Sequence, residues 1–210
     1  MSDRTAWQRI QDEKGVIIEA LRHIASLRRF TRLPKGDGQP VMVLPAFSVS
    51  DRGTWPLRRV LDGLGYDVHG WGLGKNEGMT HESVAALKDR FDALVDDVDR
   101  PVSLVGWSLG GVFGREVARR RPDHVTSVIT LGSPFRSIEE RQGWEPPPVP
   151  TVAIYSKADA LVPWHNASEP DGPLRESVEV RGTHSGLALN PAVIEVVAHR
   201  LPVLSVRSSA

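Results

Sequence analysis

Cysteine is absent from the 210-residue chain. That excludes disulfides, thiolate metal sites, iron–sulfur clusters and a cysteine nucleophile together. An excess of charge of either sign is missing as well, because 26 Lys and Arg balance 26 Asp and Glu. No global basic field therefore exists to gather nucleic acid or anionic lipid. Nowhere does the chain approach the ~18 uninterrupted apolar residues of a membrane helix. The N-terminus, Met1-Ser2-Asp3-Arg4, runs into Arg9, Asp12, Glu13 and Lys14 without the apolar core of a secretory signal. These absences lead us to expect a soluble, cytoplasmic protein with no stable membrane insertion and no nucleic-acid partner. They leave its oligomeric state open. Internal repeats are also lacking.

What is present is ordinary for a folded enzyme-sized unit. Apolar residues make up 40% and charged residues 25%, a balance that excludes disorder as the main state. A chain of this length buries about 71% of its unfolded surface and needs no covalent or metal staple.

From Asp12 to Arg29, the apolar residues Ile17, Ala20, Leu21, Ile24 and Leu27 follow a helical period, with Glu19, Arg22, His23 and Arg29 opposite. The expectation is an amphipathic helix with its apolar side packed on the domain; a membrane-surface anchor is the alternative for the same pattern. Arg28, Arg29, Arg32 and Lys35 form a local basic cluster, read as a solvated face. Residues 1–38 are thus expected to be an N-terminal helix and linker on a main domain of residues 39–210, a single domain overall.

Beyond the turn at Pro34–Gly38 the pattern alternates. Strands are predicted at Val41–Leu44, Asp67–Trp71 (weak), Val102–Val105, Val125–Leu131, Thr151–Tyr155 and Ser177–Val180. Helices are predicted near Thr54–Leu64 and at Ser83–Val98, Leu109–Arg121 and Pro191–Arg200, with the tail after Pro202 expected to fray. Strands that read as continuous apolar runs between helices indicate an α/β fold. Its mostly parallel sheet has about six strands, with helices on both faces.

One motif carries chemistry. Gly106-Trp107-Ser108-Leu109-Gly110 lies between a predicted strand and a predicted helix, the setting in which G-x-S-x-G makes a sharp turn with an exposed serine. Side chains at 106 and 110 would meet neighbouring backbone, hence glycine. The new helix points free N–H groups and its positive end at any anion forming beside Ser108. A serine hydroxyl is a weak nucleophile and needs a base. Among seven histidines, His184 is the best placed, in the small-residue loop Gly182-Thr183-His184-Ser185-Gly186 just past a strand. The base needs an acid to orient it, and Asp159 follows the strand Thr151–Tyr155 at its C-terminal end, the edge where ligands bind in such sheets. Two N–H donors must hold an oxyanion. Leu109 supplies one, and Phe47, in the loop Leu44-Pro45-Ala46-Phe47-Ser48, is favoured for the other, with Ser48 as the alternative. His69 and His81 flank a glycine-rich loop but lack the clustered ligands of a metal site. That loop, Gly70-Trp71-Gly72-Leu73-Gly74-Lys75-Asn76, lacks both G-x-G-x-x-G and G-K-[ST] and reads as a turn rather than a phosphate cradle.

Together with Tyr155-Ser156-Lys157-Ala158-Asp159-Ala160-Leu161-Val162-Pro163, Gly182-Thr183-His184 and Thr130-Leu131-Gly132-Ser133-Pro134, these motifs resemble the α/β-hydrolase superfamily from about Val41 to Leu201. The closest type is a small esterase or lipase. Ala46 departs from the glycine usual in that loop. The resemblance implies a nucleophilic serine hydrolase that needs no cofactor or metal, with Ser108, Asp159 and His184 as its triad and a small-molecule or lipid ester as substrate. Thioesterase, acyltransferase and amidase chemistry, or a binding protein that keeps the fold, stay open on the residues alone. Only about 18 residues separate Leu131 from Pro150, too few for a multi-helix cap. The site is therefore expected to be open, with Phe47, Trp107, Phe135 and Trp164 as candidate substrate-binding walls, each of which reads equally as core.

Overall fold

A computed structural model describes the backbone of residues 6–208 and the side chains of residues 15–204. The six strands are β1 (Pro40–Leu44), β2 (Asp67–Gly70), β3 (Val102–Trp107), β4 (Val125–Leu131), β5 (Thr151–Tyr155) and β6 (Arg175–Glu179). They form one sheet in the order β2-β1-β3-β4-β5-β6, and all neighbours run parallel. The helices are α1 (Ala6–Phe30), α2 (Asp51–Gly63), α3 (His81–Val98), α4 (Leu109–Arg120), α5 (Phe135–Gln142) and α6 (Pro191–Ser208).

Parallel strands need crossover helices, and those helices cover both faces. Along β1 the side chains alternate. Val41 and Val43 join Leu57 and Leu61 of α2 and Ile194 and Val197 of α6. Met42 and Leu44 join Leu87 and Phe91 of α3 and Phe113 of α4 on the other face. With both faces apolar, the strand reads as an unbroken hydrophobic run. Burying each such Leu, Ile or Phe contributes about 1.5–3 kcal/mol. The connection from β1 runs outward to β2, and the chain then crosses back to β3, so the strand order reverses between β1 and β3. That switch point opens a crevice at the C-terminal ends of these two strands.

The stretch between β4 and β5 holds only the eight-residue α5, and no cap stands over the sheet there. Several boundaries differ from the expectation: α2 begins at Asp51 rather than Thr54, α3 at His81 rather than Ser83, β3 runs on to Trp107, and β6 spans Arg175–Glu179 rather than Ser177–Val180. α5 forms where no element was predicted, and α6 continues through Pro202 to Ser208 instead of fraying.

The larger correction concerns α1. Its expected apolar face points outward: Leu21 and Ile24 are 63% and 64% exposed, and Ile17 and Leu27 are exposed with them. Glu19 and His23, expected on the solvent side, are 3% and 8% exposed. The physical reason lies in their partners. His23 Nδ1 lies 3.0 Å from the Leu189 carbonyl oxygen, its ring meets Phe30 edge-on, and Glu19 receives hydrogen bonds from the loop before α6. Polar groups with such partners are buried at little cost. Periodicity shows that a helix has two faces, but not which face the domain takes.

Phe30 sits in the core with Val41 and Leu57. Phe30→Ala is therefore expected to lower the unfolding free energy by about 3–5 kcal/mol. Leu21→Gln, on the same helix, is expected to change it by no more than about 0.5 kcal/mol. Urea unfolding of the two variants checks this, and a larger loss for Leu21→Gln would reverse the assignment of faces.

Candidate active site

β3 ends at Trp107 and α4 begins at Leu109, so Ser108 alone makes the turn between them. It does so at φ 53°, ψ −120°, a region sparsely populated for a residue with a side chain, at a cost of about 1–3 kcal/mol. Its N–H donates to the Leu131 carbonyl at 2.8 Å, which fixes the turn to β4. The helix behind it lies hard against the sheet. A Cβ added at Gly110 would stand 2.3 Å from the Leu44 carbonyl oxygen, closer than any real contact.

His184 opens a single helical turn, residues 184–186, between β6 and α6. Its Nε2 lies 2.9 Å from Ser108 Oγ, and its Nδ1 lies 2.6 Å from Asp159 Oδ2. The other carboxylate oxygen of Asp159 accepts the N–H groups of Leu161 and Val162 at 2.8 and 2.9 Å. Both oxygens are thus held by donors, and the side chains of His184 and Asp159 are almost wholly removed from solvent. Gly132, at φ +57°, leaves the space for this pair, because a Cβ there would stand 3.1 Å from Asp159 Oδ2 and 2.5 Å from a Leu187 methyl.

Three groups beyond the triad align the loops, two of them outside the expected set. Ser156 Oγ accepts the N–H groups of Ala158 and Gly182 and donates to the Gly182 carbonyl at 2.8 Å, so it joins the Asp159 turn to the His184 loop. Trp107, expected as a pocket wall, is buried, and its indole N–H donates to the His184 carbonyl at 3.1 Å. Glu19 reaches in from α1 to accept the Thr183 N–H at 2.9 Å and the Thr183 hydroxyl at 3.2 Å. Nothing in the local sequence marks Glu19 or Ser156, because each works through a partner distant along the chain.

At the other side of the crevice, a tight turn closes with the Val49 N–H donating to the Ala46 carbonyl at 3.1 Å. Ser48, at φ 64°, donates its N–H to the Asn76 carbonyl at 2.6 Å, so it is not a free donor for an oxyanion. Among the described residues no acceptor engages the N–H of Phe47, or that of Leu109 at the first position of α4. Asn76 is the residue that the sequence hid. It belongs to the glycine-rich loop, is fully buried, and donates to the Pro45 carbonyl at 2.8 Å, bracing the turn that carries Phe47.

Of the candidate walls, Phe135 is corrected to core. It is fully buried, and the Arg115 guanidinium sits 4.0 Å from its ring centre. Arg115 is itself held by Glu139 at 2.7 Å and Glu169 at 2.9 Å, an arrangement that clamps α5 onto α4. Phe47 and Trp164 are exposed, and Trp164 stacks on Tyr155 with centroids 5.8 Å apart. An open groove of about 740 Å³ runs from Leu109 between α3 and α5 past Met79, His81, Ile138 and Trp144. No group of three or more His, Asp and Glu side chains suited to a metal occurs among the described residues. No helix among them is long and apolar enough to cross a membrane.

A six-stranded parallel sheet covered by helices, with a serine on the turn after β3, defines the α/β-hydrolase fold. The sequence is similar to the pimeloyl-[acyl-carrier protein] methyl ester esterase of Shewanella woodyi, 27% identical over 125 residues, covering 58% of this chain and 46% of that one. It is also similar to the esterase of the same description from Methylococcus capsulatus, 29% identical over 120 residues and 45% of each chain. The chain thus spans about half the length of the curated relatives it matches. Among solved structures it resembles Bacillus licheniformis lipase BlEst2 with a TM-score of 0.62, at 13% identity over 82% of this chain and 94% of that one. It also resembles Paleococcus ferrophilus monoacylglycerol lipase, with a TM-score of 0.58, 14% identity and coverage of 82% and 96%. At such identities the likeness is one of fold. No family profile matches the chain.

The setting of Glu19 yields a test. Burial pushes its carboxyl above the ordinary 4.5, against the opposing pull of hydrogen bonds from Thr183 and Asn190 and the charge of Arg22. A folded-state value above the unfolded one means that the folded state holds this proton more tightly. The resulting stability is complete below about 4.5 and is lost as the pH rises through the folded-state value. The stability of the protein relative to Glu19→Gln should therefore fall steadily from acid towards neutral pH in urea unfolding. A difference independent of pH would mean that the carboxyl titrates as if in water.

Proposed function

We propose that the chain hydrolyses carboxylic esters of small molecules or lipids through an acyl-enzyme on Ser108. The observation that carries this reading is the continuous line from Ser108 Oγ through the His184 ring to Asp159, at 2.9 and 2.6 Å. With Nδ1–H donated to Asp159, the neutral ring presents the lone pair of Nε2 to the serine hydroxyl. Ser108 Oγ attacks the ester carbonyl as His184 takes its proton. The carbonyl oxygen becomes an anion beside the N–H groups of Leu109 and Phe47, at the positive end of α4. As the intermediate collapses, the C–O bond to the leaving group breaks and His184 protonates the departing alkoxide. A water molecule then attacks the acyl-enzyme by the same relay, releasing the acid and restoring Ser108.

The names of the relatives support the bond type, since theirs is a methyl ester. The absence of a cap between β4 and β5 favours substrates that approach an open crevice. The groove leading away from Leu109 offers room for one arm of the ester.

Ser108→Ala is expected to lower kcat by about 10⁶, and Asp159→Asn by about 10⁴, since it presents the wrong ring tautomer. A p-nitrophenyl ester series, run with circular dichroism to confirm folding, measures both. Retention of most ester hydrolysis by folded Ser108→Ala would overturn the proposal.

A further inference from the structure

The outward face of α1 is unlike the rest of the surface. Ile17, Ile18, Leu21, Ile24 and Leu27 stand about half to two-thirds exposed along it. Their spacing makes one stripe about 15 Å long. At the C-terminal end of the stripe, and on its flank, lie the exposed cations Arg22, Arg28, Arg29, Arg32 and Lys35. Between Gly15 and Lys35 the only acidic residue is Glu19, and it is buried on the opposite side of the helix. Arg29 pairs with Glu195 of α6. Arg28, Arg32 and Lys35 make no ion pair among the described residues. The chain as a whole is neutral, so this local positive field is set against a net charge of −4 over the rest of the chain. Beside the stripe, Trp55 of α2 is exposed, and an apolar groove of about 470 Å³ runs between Ala20, Ile24 and Leu27 on one side and Trp55 and Val60 on the other.

We propose that this face of α1, with Trp55, docks on an anionic phospholipid surface. Aliphatic side chains in a stripe, cations at its end and a tryptophan at its margin are the elements by which a helix lies in a bilayer interface. A fluid lipid layer moulds itself to an exposed stripe of any contour, whereas a folded partner needs a matching surface. A second copy of the chain is disfavoured by charge, because packing two such faces together sets Arg22, Arg28, Arg32 and Lys35 of one copy against those of the other, and between Gly15 and Lys35 the one acid, Glu19, is buried. The docking goes beyond the hydrolytic reading and does not depend on it. It does bring the helix that braces the His184 loop to the lipid surface.

Flotation of the full chain with vesicles tests this. Two lipid compositions are compared, phosphatidylcholine alone and phosphatidylcholine mixed with phosphatidylglycerol, each at low and high salt. Binding to the mixed vesicles at low salt is expected, with loss at high salt and on pure phosphatidylcholine. At roughly 1 kcal/mol per surface cation, Arg28→Gln with Arg32→Gln should weaken it about thirty-fold. Leu21→Gln with Ile24→Gln should weaken it at least about tenfold. All four positions are exposed, so the thermal unfolding of both variants should match that of the parent, which separates a lost surface from a lost fold. Failure to bind the mixed vesicles overturns the proposal, as does binding that ignores the cation pair. A dimer in light scattering that Leu21→Gln with Ile24→Gln dissociates would assign the face to a second copy instead.

Discussion

The close approach of α4 to the ends of β1 and β3 is the constraint on which the rest of the site depends. Ser108 occupies a backbone conformation that an isolated chain avoids, and it stays there because both neighbours are pinned. Its own amide is bonded to β4, and the helix that follows touches β1 backbone at Gly110. Strain at one residue is thereby spread over a sheet core whose side chains are fully buried on both faces. The same contact aims the first N–H groups of α4 at the space beside the hydroxyl. Geometry and electrostatics at Ser108 therefore have one origin.

The other two groups of the relay reach the site differently. Asp159 and His184 ride on loops, and loops need fasteners. Ser156 ties one loop to the other, the Trp107 indole ties the His184 carbonyl back to the strand before the serine, and Glu19 holds Thr183 from outside. Asn76 does the same for the turn that carries Phe47. Each fastener is a buried polar group whose hydrogen bonds compensate its desolvation, so loss of one partner leaves another stranded. This makes alignment of the relay a collective property of residues drawn from five separate stretches of chain.

Much of this was legible in the sequence, and the limits follow from the physics. The strand–turn–helix around Ser108 shows locally, because a sharp turn demands glycine at fixed offsets and a buried parallel strand demands a continuous apolar run. Asp159 and His184 show through their position after strands. Glu19, Ser156 and Asn76 do not show, since a polar residue that serves a partner far along the chain looks the same as one that faces water. Phe135 misled for a related reason: an aromatic side chain carries no mark of whether it faces a crevice or, as here, an arginine buried between two glutamates. The reversal of α1 is the clearest case. Hydropathy assigns its interior by counting methyl groups, whereas the folded chain assigns it by which side chains find partners.

A composition-based boundary near residue 38 separates a helix from a catalytic unit, yet the hydrogen bonds cross that line. Through Glu19 and Gly15, which packs directly on the Thr183 side chain, α1 holds the loop that carries His184. A shortened protein beginning at β1 would keep every reacting atom and lose one of the walls that keeps the imidazole in place. In this fold the amino-terminal helix acts as a buttress, outside the sheet itself and in contact with the loop whose alignment the relay requires.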